Sequence, residues 1–160
     1  MRSELPDCLK LNLCWPSLAV KLDGVVGPSA ALKANLLVTD IGFISYWFVS
    51  LVNLLPADWL YKDAGNPILM AWNWSFAPVD LIASCLGLAS MALARKGHDA
   101  WQPLALLSIS MTFCAGLMAI SFWALRKDFD FSWWLPNLYL VIWPLFFVRG
   151  IIFAKQRFRA

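Results

Sequence analysis

The sequence predicts an all-α integral membrane protein, a bundle of four transmembrane helices. Of its 160 residues, 61% are hydrophobic and 14% are charged, a balance typical of membrane proteins rather than of soluble domains. Four apolar runs are separated by short segments that hold most of the charges. Each run is long enough to cross a hydrocarbon layer of about 30 Å. The lipid bilayer is therefore the first expected partner.

The four predicted spans follow from the apolar runs and from the prolines that begin them. We place the first span at residues 34–55, where Asp40 is the only charged residue. Pro67 opens a second span over residues 67–94, because proline is favoured in the first turn of a helix. The third span covers residues 102–125. The fourth covers residues 133–153 and should be kinked at Pro144.

The distribution of basic residues predicts how the helices are oriented. Residues 1–33, the second loop and the C-terminal segment hold ten lysines and arginines, whereas the first and third loops hold three. Basic residues favour the cytoplasmic side, so we expect both termini in the cytoplasm of a bacterial cell and the protein in its cytoplasmic membrane. Residues 1–32 would form a cytoplasmic tail, residues 33–155 the transmembrane domain and residues 156–160 a basic tail. An over-extended reading frame is the alternative explanation of residues 1–32.

Several classes of function have no support in the sequence. The four cysteines form no C-x-x-C pair and His98 stands alone in a polar turn, so we expect no metal site. We find no Gly-rich phosphate loop, no nucleophile elbow and no nucleic-acid module. The expected cofactor is none, and the expected partners do not include nucleic acid.

Two acids inside the spans, Asp40 and Asp80, are the main candidates for function. Counted from Leu55 and Pro67, they lie ~22 and ~20 Å deep. No lysine or arginine lies deep enough in a span to pair with them, so we expect the two carboxyl groups to share one proton and leave one negative charge. Such a site would suit a lipophilic ammonium. The alternative is that each acid only hydrogen-bonds across helices and serves assembly.

Aromatic residues near these acids could form the walls of a pocket. Trp47 and Trp143 lie deepest, with Tyr139 one turn from Trp143. Seven other tryptophans fall near predicted membrane interfaces and are better explained by an aromatic belt: Trp59, Trp72, Trp74, Trp101, Trp123, Trp133 and Trp134. The third span carries a face of small residues, which indicates close helix packing.

Short motifs in two parts of the chain resemble a known family. They are Leu55-Pro56, Trp59, Lys62-Asp63, Asn66-Pro67, Trp72, Ser75-Phe76 and Asp80-Leu81, and then Leu135-Pro136-Asn137, Tyr139-Leu140 and Pro144. Their spacing over residues 36–149 resembles the EXPERA group of four-helix membrane proteins, which includes emopamil-binding protein and the sigma-2 receptor. It is more similar still to the uncharacterised YvaD-like bacterial membrane proteins.

The resemblance implies a lipid-accessible cavity in which acids of the first two spans meet a cationic or sterol-like ligand. Those acids are Asp40 and Asp80. The isomerases of the EXPERA group also use a histidine and glutamates inside the membrane, which no span of this chain contains, so binding is favoured over isomerase activity. The candidate ligand-binding residues are Asp40, Asp80, Trp47, Asn73, Phe76, Asn137, Tyr139 and Trp143.

Three functions therefore compete. The first is a non-enzymatic binding protein for a small lipophilic molecule, cationic or sterol-like. The second is a proton-coupled exporter similar to the small multidrug transporters, which would require a homodimer. The third is an assembly subunit of a larger membrane complex, docked through the small-residue face of the third span.

Overall fold

A computed structural model describes residues 27–154, and all regular secondary structure in that range is α-helix. The helices are α1 (Ala30–Leu51), α2 (Ala57–Leu60), α3 (Pro67–Trp74), α4 (Ala77–Arg95), α5 (Trp101–Leu125) and α6 (Phe131–Ala154). Within residues 27–154, four segments are long and apolar enough to cross a membrane: α1, α3 together with α4, α5 and α6. The predicted fold class is confirmed. Most of the predicted N-terminal tail, up to residue 26, and the basic tail from residue 156 lie outside the described residues.

The first helix begins and ends four residues earlier than the predicted span. It begins at Ala30 because the hydroxyl of Ser29 accepts a hydrogen bond from the backbone N–H of Leu32 at 3.2 Å, which caps one of the free donors of the first turn. It ends at Leu51, and Asn53 follows with a φ of 51°. A residue in the left-handed region cannot continue a right-handed helix.

The second span is interrupted rather than continuous. Asn66 caps its start, accepting hydrogen bonds from the N–H groups of Ile68 and Leu69 at 3.0 and 3.4 Å. α3 then ends at Trp74, four residues before Pro78. Pro78 lacks the N–H that would donate a hydrogen bond to the carbonyl oxygen of Trp74, and the proline ring collides with that carbonyl group. The interruption places Asp80 in the first turn of α4.

The helices pack in the order α1, α4, α5, α6. α4 lies between α1 and α5, and α5 lies between α4 and α6, whereas α1 and α6 share a much smaller contact. We call the end with residues 52–66 and 126–130 the distal end and the opposite end the proximal end. The main hydrophobic core joins all four helices towards the proximal end and consists of Leu32, Leu36, Met91, Trp101, Ala105, Ile109, Trp143 and Ile151.

The small-residue face of α5 is buried against its neighbours. Its members are Ala105, Ser108, Thr112, Ala115, Gly116 and Ala119. At Gly116 the backbone of α6 comes so close that an added Cβ would lie 2.8 Å from Cβ of Leu140 and 2.9 Å from the carbonyl oxygen of Asn137. Gly116 therefore allows α5 and α6 to approach closely, as small residues do in membrane helix pairs.

Charged side chains link the two distal loops. Lys62 forms ion pairs with Asp128 at 2.7 Å and Asp130 at 3.2 Å, and Arg126 pairs with Asp63 at 3.3 Å. Although desolvation acts against it, hydrogen bonding to Asp128 and Asp130 raises the pKa of Lys62. Hydrogen bonds from Ser132 and Lys62 lower the pKa of Asp130.

Candidate functional site

The two intramembrane acids lie between α1 and α4, but at different levels. Asp40 is fully buried against Gly87 of α4, where an added Cβ would overlap its carboxyl group and lie 2.8 Å from Cγ. Asp80 instead faces Trp47, whose indole N–H donates a hydrogen bond to Oδ2 of Asp80 at 2.9 Å. Asp80 and Gly87 are seven residues apart on one helix, so the two carboxyl groups are separated by about 10 Å along the axis.

The expected sharing of a proton between Asp40 and Asp80 is therefore wrong. Neither oxygen of Asp40 has a hydrogen-bond partner among the described residues, and Asp80 is bonded to Trp47. The depth estimate failed because it assumed that the first two helices begin level at the distal end. The contacts of Asp40 with Gly87 and of Trp47 with Asp80 set an antiparallel register in which Leu51 is level with Phe76. By that register α3 continues about 13 Å beyond the end of α1.

Asp80 lies at the wall of a cavity of about 220 Å³ in the distal half of the bundle. Residues from α1, α3, α4, α5 and α6 enclose it, together with Phe76 from the interruption between α3 and α4. The lining residues are Phe43, Tyr46, Trp47, Trp72, Asn73, Phe76, Asp80, Ala115, Ala119, Trp123, Trp133, Pro136, Asn137 and Leu140. Apart from Asp80, no lining residue carries a formal charge at neutral pH. The cavity therefore combines a single carboxyl group with a largely aromatic wall.

The polar groups of the cavity are held in fixed positions. Tyr46 donates a hydrogen bond from its hydroxyl to the carbonyl oxygen of Leu60 at 3.0 Å and accepts one from the side-chain amide of Asn73 at 3.2 Å. Asn137 donates to the carbonyl oxygen of Trp133 at 2.7 Å. Oδ1 of Asp80 has no hydrogen-bond partner among residues 27–154. Asp80 is thus a lining residue whose hydrogen bonding is incomplete.

The aromatic wall is built from rings that contact one another. Trp47 packs against Tyr46 and Trp74, with ring centroids 4.9 and 5.4 Å apart. Two further lining residues, Trp72 and Trp123, lie edge to face at 5.7 Å. The Trp123 ring already has Lys62 and Arg126 each 5.4 Å from its centroid, and Trp72 stacks on Phe122 at 4.0 Å.

Five of the eight predicted ligand-binding residues line this cavity: Trp47, Asn73, Phe76, Asp80 and Asn137. The other three lie elsewhere. Asp40 is buried against Gly87, and Trp143 belongs to the proximal core. The hydroxyl of Tyr139 donates a hydrogen bond to Oδ1 of Asn35 at 2.8 Å, which joins α6 to α1.

Five cavity residues with aromatic side chains were not among the predicted site residues. They are Phe43, Tyr46, Trp72, Trp123 and Trp133. The sequence analysis explained the three tryptophans by the aromatic belt, because they lie near the ends of predicted spans. These three tryptophans lie at the distal ends of three different helices, and neighbouring helix ends meet at one level of a bundle. That shared level could have predicted that they line one site.

Comparison with known proteins shows the family of the chain and a bacterial relative. A family described as "Family of unknown function (DUF5360)" matches residues 32–158. The chain is 48% identical over 126 residues to "Uncharacterized protein YvaD" of Bacillus subtilis (strain 168), an alignment that covers 79% of this chain and 95% of that protein. The resemblance to YvaD-like proteins is confirmed. No solved structure matches the chain.

Proposed function

The chain belongs to the DUF5360 family, and we propose that it binds a small lipophilic cation in the cavity beside Asp80. The observation that carries this proposal is the pairing of one carboxyl group with an aromatic wall. An ammonium group would pair with the carboxylate and would be attracted to the faces of the surrounding rings. Its apolar part would lie against Phe43, Phe76 and Leu140, which line the same cavity.

The position of Asp80 also supports a ligand rather than assembly alone. An acid inside a membrane is costly unless a partner or ligand compensates it. Trp47 supplies one hydrogen bond to Oδ2, and Oδ1 is left without a partner in the described part of the chain. A bound ammonium would complete the hydrogen bonding of this carboxylate.

We further propose a distant relationship with the EXPERA group, in which a cationic or sterol-like ligand binds near acids of the first two spans. The four helices and the cavity beside Asp80 support that relationship. The expected pair of Asp40 and Asp80 does not support the relationship, because Asp40 lies outside the cavity.

Titration of a fluorescent lipophilic tertiary amine, which carries an N–H⁺ group at neutral pH, into the protein in nanodiscs tests the cation site. The variant Asp80→Asn removes the charge with little change of shape. We expect its affinity to fall by roughly tenfold to a hundredfold, since a hydrogen bond or contact to a charged group contributes about 1.5–3 kcal/mol. Binding to the unaltered protein should weaken as pH falls, because protonation of Asp80 removes the anion.

Asp58→Asn is the matched control, because it makes the same change at an exposed acid of the distal end. It should leave the affinity unchanged. A neutral analogue with carbon in place of the ammonium nitrogen should bind weakly and equally to all three proteins. Equal affinity of the unaltered protein and Asp80→Asn for the cation would refute the proposal. Tighter binding of a neutral sterol would favour the sterol-like alternative.

The orientation of the bundle is proposed on the same basis as before, with both termini in the cytoplasm of a bacterial cell. Reporter fusions at the C-terminus test this, and an external reporter signal would contradict it. Transport, a homodimer and a role as an assembly subunit remain predictions from the sequence, without a contact in the described residues that favours them.

A further inference from the structure

Asp40 is a buried acid that the proposed cation site does not use. Its side chain is fully buried, and neither of its oxygens receives a hydrogen bond from any described residue. Asp80 differs, because Trp47 donates a hydrogen bond to it. A carboxylate anion without donors is very unfavourable in a medium of low dielectric constant, and such a group takes up a proton instead. The surroundings of Asp40 thus favour the neutral acid over the anion.

The contact with α4 leaves no space for another ion. The carboxyl group of Asp40 lies directly on the backbone of Gly87, so closely that a single added methyl group would overlap it. A cation with its ligands, or a water molecule, would need that space. A proton needs none, and it is the one positive charge that this packing admits.

No neighbouring charge in the described part of the chain replaces the missing donors. On α4, Cys85 is exposed two residues from Gly87, and the nearest charged side chains along the helix are Asp80 and Arg95, seven and eight residues away, or about 10 and 12 Å. α6 carries Tyr139, bonded to Asn35, and Arg149 nearer the proximal end.

The other helices offer no charge at this level either. The described residues of α5 include no charged side chain, and its Cys114 is exposed. On α1 itself, Lys33 is exposed about two turns away, and the phenol of Tyr46 is bonded to Leu60 at the distal end.

We propose that Asp40 is a proton-binding site, separate from the cation site at Asp80. The carboxylate takes up one proton from water as α1 and α4 come together, and it returns that proton when they separate. The helix pair α1 and α4 would then bind a proton at the level of Gly87 and a cation at the level of Trp47. The proton site stands without the cation site, since it depends on Asp40 and Gly87 alone.

Infrared difference spectroscopy of the protein in lipid bilayers tests the site directly. A protonated carboxyl group has its own C=O stretching band, and carbon-13 labelling of aspartate identifies the band as an aspartate. At neutral pH we expect this band in the unaltered protein, its persistence in Asp80→Asn and its loss in Asp40→Asn. Absence of the band, or its loss in Asp80→Asn, would overturn the proposal. If Asp40→Asn does not fold, the spectrum of Asp80→Asn decides.

Stability as a function of pH gives a second measurement. The folded state keeps the proton while the unfolded chain releases it, so the ratio of folded to unfolded protein should fall by up to about tenfold for each pH unit above the ordinary range of an aspartate. The stability should stop changing with pH above the pH at which Asp40 loses its proton in the folded protein. It should persist in Asp80→Asn and disappear in Asp40→Asn. A pH dependence that is the same in Asp40→Asn and the unaltered protein would contradict the proposal.

Discussion

Replacing Gly87 with alanine tests the contact between α1 and α4 most directly. The added Cβ would lie 2.8 Å from Cγ and 2.9 Å from Oδ1 of Asp40, and would overlap Oδ2. Ordinary van der Waals contact requires about 3.5–4.0 Å, so the carboxyl group must move away by about 1 Å or more. Asp40 has a short side chain that is buried on all sides, and α1 must therefore move with it.

The expected cost follows from two opposing effects. Overfilling a packed interior typically costs about 1–3 kcal/mol, whereas alanine is more favourable than glycine within a helix by roughly 0.5–1 kcal/mol. Gly42→Ala is the matched control, because nothing lies within 4 Å of a Cβ at Gly42. Both variants gain the same helix propensity, so their unfolding free energies should differ by about 1–3 kcal/mol, with Gly87→Ala the less stable.

Reversible unfolding in mixed detergent micelles, followed by circular dichroism, measures this difference. The double variant Asp40→Ala with Gly87→Ala should be more stable than the sum of the single changes predicts, because removing the carboxyl group makes room for the new methyl group. A coupling energy of about 0.5 kcal/mol or more is expected for residues in contact. Equal stability of Gly87→Ala and Gly42→Ala would refute the close approach, and strict additivity would refute the role of Asp40 in it.

Two further predictions concern the other contacts of the bundle. Gly116→Leu should destabilise the protein by about 1–3 kcal/mol or more, because its side chain would collide with Leu140 and the backbone of α6, whereas Gly42→Leu at an open position should be mild; equal thermal shifts would count against this packing. The lowered pKa of Asp130 means that its contribution to stability is present above the ordinary range of an aspartate and is lost as pH falls through its folded value. Acid below the ordinary range of an aspartate should therefore loosen the distal loops. Around Lys62, the hydrogen-exchange protection factors, which are corrected for the intrinsic slowing of exchange in acid, should fall with pH in the unaltered protein and change much less with pH in Asp130→Asn.

The fold was predictable because the membrane imposes it. A run of about 20 apolar residues has few alternatives to a spanning helix, since every backbone polar group must be bonded internally. The helix ends were less predictable. Residues 52–55 are apolar enough to extend the first span, yet the left-handed backbone at Asn53 stops α1 at Leu51. The sequence shows a proline at position 78, but it does not show that this proline divides the second span into α3 and α4.

The site was predictable in its residues more than in its geometry. Composition identifies Asp80 as a costly group, and helical spacing places Asn73 and Phe76 on its face. The axial offset between two helices could not be predicted in this way, because it depends on the loop that joins them. Residues 52–66 include the short helix α2 and let α3 continue beyond α1. Such an offset separates Asp40 from Asp80 but leaves the spacing of residues along each helix unchanged, so the helical periodicity of the sequence does not reveal it.

The register between α1 and α4 explains why two acids can occupy one helix pair with different properties. Each helix contributes an acid and, seven residues away, the residue that meets the partner's acid: Trp47 follows Asp40 on α1, and Gly87 follows Asp80 on α4. Seven residues are close to two turns, so both contacts fall on one face of each helix. Tryptophan brings a donor and an open cavity to Asp80, and glycine brings neither to Asp40. The same residue type on the same pair of helices therefore receives a hydrogen bond at the first level and none from the described residues at the second.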